Sequence, residues 1–581
     1  MFCALAHKSG TMWDFASNVL TNGGLFFMII YWFMTFVIMF PILHLEIFVG
    51  QWCQSGIVKT MRSYGKGFEF IGFIVTCLLF TQATLGVSRS YPSGKHVINL
   101  MTDAAATVSC RKDSVIGKAC VSLLDDLQCR KKLGPEYFYY HRECINDTSV
   151  IESVHSAAVF YAEYVRTRGK ADKNFDTTRL VYMFSISVVI GVLGLFGFTV
   201  IRYFLAVIYS YYIVIFLLLG IPIMSLKGKA SAMFHTLSIA TVPESLFLGK
   251  TYYTAFILSV STTGVGLAGM LCASSFRSRK GNSFGLTYVI ILSNVVYGII
   301  SLIYILVIVN SVNSQIPIFN DQRSQSLDFV YGPLTEILLS QEKSAVWLVL
   351  YNISVYAMNL SSFGGCLICL FGLVRDHARN HQPLWTACTA VSFSLALFLF
   401  SSLAGFPGLL ITYTRLLQDV FTMTIFLVLL AMISVFIHIY GSREYMIDLC
   451  EVYTYEEGRS PVRTPTNNWQ FHIFNILTFV FLVLTAYSAP ALYMSNLKPS
   501  ATGEIFMYHE QRFWNMLLVD FVIKGLIVIS IVSFGWRLYL NVKDDKGWNA
   551  FFNVTPEHPS YKRISAGWRK PKSAELVTMA N

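Results

Sequence analysis

Apolar runs of about 20 residues, the length a helix needs to cross the hydrocarbon of a bilayer, recur along the whole chain between short polar stretches. The pattern predicts spans at 25–49, 68–87, 180–198, 203–224, 252–276, 286–309, 346–374, 385–403, 409–439, 471–492 and 513–538, with a partial span at 1–22. Helices are the expected element, because backbone groups in lipid must find their partners within their own segment. The expected fold class is therefore an all-α polytopic membrane protein of about twelve transmembrane helices. The first segment begins at the initiator Met without a cleavable signal peptide, so the chain is expected to be an N-terminally short form.

Composition agrees: 54% of the 581 residues are hydrophobic and 13% are charged, about half the charge of a soluble protein. The Lys and Arg residues set the orientation, since short loops rich in them stay in the cytoplasm. Lys59, Arg62 and Lys66 follow the second span, Arg277, Arg279 and Lys280 the sixth, Arg375 and Arg379 the eighth, and Arg563, Arg569, Lys570 and Lys572 the last. All fall on one side when the spans alternate. The net charge of +11 is then mostly this bias, and nucleic acid is not an expected partner. Residues 1–541 are expected to form the membrane domain and 542–581 a cytoplasmic tail, with the plasma membrane as the location.

The one long polar loop, about residues 101–177, falls outside and holds Cys110, Cys120, Cys129 and Cys144. Four cysteines in an oxidising compartment point to disulfides, and Asn146-Asp147-Thr148 is a glycan acceptor on the same side. Asn352, Asn359 and Asn553 lie in a span or on the inner side, where no glycan is expected. In the sixth span, Ser259-Val260-Ser261-Thr262-Thr263-Gly264-Val265-Gly266 interrupts an apolar run with hydroxyls and glycines. Irregular backbone at that depth is tolerated where it lines a cavity; the alternative is a small-residue packing seam. His7 and His44 stand alone, with satisfied polar contacts expected for both. Nothing resembles a phosphate loop, a nucleophile elbow or a paired-carboxylate site, so an enzyme is not expected.

Gly10-Thr11-Met12-Trp13-Asp14-Phe15, followed at a fixed interval by Asn22-Gly23-Gly24, resembles the first-helix signature of the sodium- and chloride-coupled neurotransmitter and amino-acid symporters. Pro41 to Glu46 and Gly50-Gln51-Trp52 are similar to the motifs that end that family's second helix. The likeness continues through Gly264-Val265-Gly266, Asn294, Ser361-Ser362-Phe363-Gly364-Gly365, Asp419 and Tyr440-Gly441. It implies two inverted five-helix repeats plus two helices, with substrate and ions at the midplane beside breaks in helices 1 and 6.

The resemblance assigns a first sodium site to Ala6, Thr11 and Asn294, with Val260 or Ser259 beside them, and a second to Ala4, His7, Ala357 and Ser361. Leu360 brings no oxygen to the second, and hard cations want several. Chloride maps to Tyr31 and Asn294, with Gly298 where the family has serine. For Asn294 the alternative is a simple interhelical hydrogen bond. Substrate positions map to Lys8, to Phe80, Thr81 or a residue close by, and to Ser261, Thr262, Thr263 and Gly264. Lys8 stands where amine transporters carry Asp, which disfavours monoamines and favours a carboxylate; the alternative is that Lys8 snorkels to water.

The family closes its vestibule with an Arg–Asp pair, which here is Asp14 and Asp419; Arg415, one turn before Asp419, is expected to bridge them unless it merely reaches the outer surface. The family's loop bridge implies a disulfide between Cys110 and Cys120, with Cys129 and Cys144 as a second expectation. The expected function is secondary active transport of a small organic solute, an amino-acid-like zwitterion or anion, by alternating access with weak sodium coupling. The competing expectation is a transport-incompetent receptor or regulator that keeps the fold.

Overall fold

The computed structural model describes residues 1–7, 9–102, 119–121, 123–134, 136–140, 143–147, 154–156, 177–225, 230–312, 334–339, 345–378, 381–402, 424–453, 473–483, 532, 534–536, 538–540, 542–543 and 551–565. Among them, seven continuous helices are long and apolar enough to cross a membrane: Leu25–Cys53, Lys66–Thr102, Thr177–Leu195, Gly197–Met224, Ser283–Asn310, Val346–His377 and Gln382–Ser402. These are spans 2, 3, 4, 5, 7, 8 and 9. Of the remaining expected spans, 1 and 6 are broken, 10 and 11 are described only in part, and span 12 lies mostly outside the described residues. Span 1 is split into Phe2–Ala6 and Ser9–Thr21, and span 6 into Gly249–Thr263 and Gly269–Ser274. Span 10, Thr424–Ile439, is followed after an 85° bend by Ser442–Val452, and span 11 is described over Ile473–Val483. The bend sits at Gly441, whose φ of 101° suits glycine.

Span 2 is not one regular helix. Met34–Met39 forms a π-turn just before Pro41. Proline has no N–H to give and its ring collides with the carbonyl four residues back, and a widened turn relieves both. Phe40 N accordingly bonds Thr35 O, five residues back. Every residue from Phe40 to Cys53 is buried, which places the Pro41–Glu46 motif in the middle of the bundle.

Two apolar cores fill the bundle. One gathers spans 2, 3, 8 and 10 around the inner half of span 6, and the other packs the outer half of span 1 on spans 5, 7 and 8. In the second, the Trp13 indole donates to the Tyr351 hydroxyl and meets Phe216 edge-on. The long outer loop holds two small sheets, Ala119–Val121 parallel to Val154–Ser156 and Phe138–Tyr140 antiparallel to Glu143–Ile145.

Candidate substrate and ion sites at two broken helices

His7 breaks span 1 with φ −88° and ψ 131°, extended values that stop the helix after Ala6. Span 6 breaks where Gly264, Gly266 and Ala268 take φ of 68°, 84° and 48°. Left-handed backbone is cheap for glycine, which is why the two glycines of the hydroxyl-rich stretch mark the break. The two breaks touch: a Cβ on Gly264 would lie 3.2 Å from Ala6 Cα and from Leu5 O. One freed backbone amide finds its partner in span 2, where Glu46 Oε1 accepts from Gly266 N at 2.6 Å. Glu46 was read in the sequence only as a motif position; its 0% exposure in mid-bundle is the signal that it serves the break.

Beside the breaks lies a cavity lined from span 1 by Ala4 and Leu5, from span 3 by Leu79 and Gln82, from span 6 by Gly264, Leu267 and Met270, and from span 8 by Ser361 and Ser362. It offers about 30 Å³ to the centres of water molecules, room for about two. Its polar atoms have spare capacity: Gln82 Oε1 is buried with no hydrogen-bond partner. Ser361 and Ser362 donate to Met358 O at 2.7 Å and Asn359 O at 2.8 Å, which leaves their oxygen lone pairs open.

Several expected positions move. Phe80 does not line the cavity but packs edge-on against Phe393 and Phe400 of span 9, and the Thr81 hydroxyl bonds Cys77 O at 3.0 Å. The face presented is Leu79 and Gln82, three residues apart and so one above the other. Ser261, Thr262 and Thr263 are also absent from the lining, and each hydroxyl bonds a carbonyl of its own helix, at 2.9, 3.2 and 2.7 Å. Gly264 keeps its expected place. Gln82 could have been singled out as a lone amide in the middle of an apolar run.

Of the second sodium set, Ala4 and Ser361 share the cavity, whereas Ala357 packs against the other core. The His7 ring turns away, bonding Ser293 Oγ at 3.0 Å and stacking on Tyr209 at 5.9 Å. His44 bonds Ser283 Oγ at 3.1 Å. The chloride positions meet one another: Asn294 Nδ2 donates to Tyr31 Oη at 2.9 Å, and Tyr31 Oη lies 2.9 Å from Thr262 Oγ1. The place of the family's serine is filled, since a Cβ on Gly298 would lie 3.0 Å from Phe15 Cδ1, whose ring is 4.8 Å from that of Tyr31. Lys8, Arg415 and Asp419 lie outside the described residues, as does the side chain of Thr11. Asp14 is half-buried, its carbonyl accepting from Asn18 at 2.7 Å.

In the outer loop Cys129 and Cys144 form a disulfide with Cα atoms 5.6 Å apart. It ties helix Leu123–Leu133 to the strand Glu143–Ile145. Cys110 and the Cys120 side chain lie outside the described residues. Asn146 is exposed.

The end assigned to the cytoplasm is closed by contacts that sequence reading did not anticipate. Arg375 of span 8 donates to Ser275 O at 3.2 Å and Ser275 Oγ at 3.1 Å and lies 4.3 Å over the Phe276 ring. Phe276 in turn stacks on Phe198 of span 5 at 3.9 Å. Below this seal, residues 551–565 strap the bundle. Arg563 pairs with Asp448 at 2.6 Å, Glu444 at 3.2 Å and Glu451 at 3.3 Å, and Arg62 pairs with Glu557. Ser560 donates to Asp448 at 2.7 Å and accepts from the Trp52 indole at 3.2 Å. His558 is buried between the Tyr64 and Tyr440 rings, 4.6 and 5.1 Å away. Burial, helped by Arg563 and Arg279, pushes its pKa down to about 3.

Two broken helices packed break against break in a many-spanning bundle are the arrangement at which secondary transporters of this architecture place substrate and ions. The sequence model of the Sodium:neurotransmitter symporter family matches residues 5–534, and the chain belongs to that family. Its members are sodium-dependent symporters of small solutes, many of them chloride-dependent as well, and are not enzymes. A comparison with curated proteins finds no match.

Proposed function

We propose that this chain carries a small amino-acid-like zwitterion or anion across the plasma membrane by alternating access, with weak sodium coupling. The observation that carries the proposal is the cavity at the paired breaks, where apolar walls meet a free amide oxygen and two hydroxyl oxygens. Its present size admits water alone, so a solute enters only when the walls part. Sodium would be held by Ala6, Thr11 and Asn294 at one site and by Ala4, His7, Ala357 and Ser361 at the other. The second set fits poorly, since Leu360 brings no oxygen and Ala357 packs away from the cavity. Chloride fits poorly too, because Tyr31, Thr262 and Asn294 already satisfy one another. Lys8 would attract a carboxylate and repel an amine. At the outer gate Arg415 would bridge Asp14 and Asp419. Residues 1–541 form the membrane domain in this reading, 542–581 the tail, and Asn146 carries a glycan.

The filled chloride position also favours a second reading, a receptor or regulator that keeps the fold without transport. Tracer uptake into vesicles across an amino-acid panel, with sodium replaced by choline, tests both. Uptake that persists at reduced rate in choline supports the first reading. Steep activation by sodium well below physiological concentration contradicts weak coupling, and no uptake of any solute by folded protein leaves the second.

A further inference from the structure

The inner half of span 6 approaches span 8 through two glycines. A Cβ built on Gly269 would lie 3.9 Å from the Cα of Gly365, so the backbones there are separated by little more than contact distance. Helices with ordinary side chains at their contact stand about 8–10 Å apart between axes, and small residues let them come closer. One turn further along stand Cys272, three residues past Gly269, and Cys369, four past Gly365, each on the face its glycine presents. Both thiols are fully buried and lie within interacting range of one another. Thr76 Oγ1 of span 3 lies 3.5 Å from Cys369 Sγ and fixes that rotamer.

We propose that Cys272 and Cys369 form an oxidisable pair whose disulfide staples the inner half of span 6 to span 8 and holds the cytoplasmic end shut. A disulfide needs Cα atoms about 4.4–6.8 Å apart, an approach that small residues such as Gly269 and Gly365 favour and larger ones at the contact oppose. The oxidant is hydrogen peroxide. The thiolate of one cysteine attacks a peroxide oxygen, breaking the O–O bond to give a sulfenic acid and one water. The second thiol then attacks that sulfur, and the hydroxyl leaves as a second water with the remaining thiol proton. Two thiols lose two electrons in all, and one peroxide is reduced to two waters.

Burial protects the pair at rest, so oxidant reaches it only when the two helices part locally, and bond formation then captures the closed arrangement. On the cytoplasmic side such a bond is transient, because the thiol pool reverses it. The staple also lies on the path to the Phe276–Phe198 seal, four residues beyond Cys272. Arrest of transport rests on the transporter reading above, because alternating access needs these helices to move; the bond chemistry does not depend on it.

The test uses full-length protein in membranes, treated with peroxide, blocked with N-ethylmaleimide and digested without reduction. A cross-linked peptide joining Cys272 to Cys369 should appear and vanish with dithiothreitol. Recovery of both as alkylated thiols, or of Cys369 joined to Cys366 or Cys77, overturns the proposal. In a Ser275→Cys variant, a position 2% exposed in the closed arrangement, labelling of the new cysteine from the cytoplasmic side should fall about tenfold on oxidation, and this response should be lost when Cys272→Ala is added. Unchanged labelling after the cross-link has formed overturns the closure. Reduced protein that takes up no solute yet shows both responses removes the transporter reading and leaves the staple standing.

Discussion

The paired helix breaks and the end assigned to the cytoplasm both bury polar groups, and they satisfy them in opposite ways. At the breaks neutral groups complete one another: Tyr31 with Thr262 and Asn294, and His7 with Ser293. At the cytoplasmic end full charges meet, Arg563 with three carboxylates and Arg62 with Glu557. Neutral interhelical hydrogen bonds are worth about 0.6 kcal/mol on average, whereas a buried ion pair that loses a partner costs about 3–5 kcal/mol. The lesson is that cohesion is concentrated where an inner gate would sit. The polar groups at the chloride positions and the His7 ring are spent on the protein itself.

The comparison breaks most readily at Arg563. Its replacement by Ala leaves Asp448, 1% exposed in its side chain, without its cation, and should destabilise the strapped state by about 3 kcal/mol. Thermal unfolding in detergent reads this directly, and an unchanged midpoint would mean the collar contributes no more than the breaks. Next comes Arg375→Ala, which removes two hydrogen bonds to Ser275 and the stack on Phe276 and, with its side chain a quarter exposed, should cost about 1.5–3 kcal/mol in all. Labelling of a cytoplasmic-end cysteine should rise, and protection equal to wild type would relocate the seal to the strap alone.

Asn294→Ala sharpens the other side. Tyr31 and Thr262 stay paired with each other, so the loss of stability should be about 1 kcal/mol or less, while the sodium response of uptake, which Asn294 serves as a first-site ligand in the reading above, should fall. An unchanged sodium response would remove Asn294 from the first site. The smallest expected effect is a pH dependence at His558. Its folded value of about 3 lies below the unfolded 6.5, so the neutral ring stabilises docking fully above 6.5. That contribution is lost as pH falls from 6.5 towards 3. Hydrogen exchange in 551–565, corrected for its intrinsic rate, should rise between pH 7.5 and 5.5 and stay flatter in His558→Phe.

What could be read from the sequence follows how local each signal is. Spans 2 to 5 and 7 to 9 announce themselves through apolar length, and the break in span 6 through Ser259 to Gly266, a run in which each residue is unusual at that depth. The wall of span 3 offers only the lone amide of Gln82, because a helix apolar nearly all round has no periodicity to choose Leu79 over Phe80. The collar was hidden for another reason. Trp52 meets Ser560 and Arg62 meets Glu557 across about 500 residues of chain, and nothing local in either partner names the other.

The π-turn at Met34–Met39 acts as a dislocation in span 2. An extra residue in one turn rotates everything beyond it by about 100° relative to an unbroken helix. The segment carrying Tyr31 and the segment carrying Glu46 are thus indexed separately, so each can meet its own portion of span 6. Removing one residue from the turn would heal the dislocation, bring the Pro41 ring against a carbonyl, and swing Glu46 away from Gly266, leaving a buried carboxyl group without the backbone amide it accepts from. A single-residue deletion far from the cavity would therefore act on the cavity, through the thread of the helix rather than through any contact.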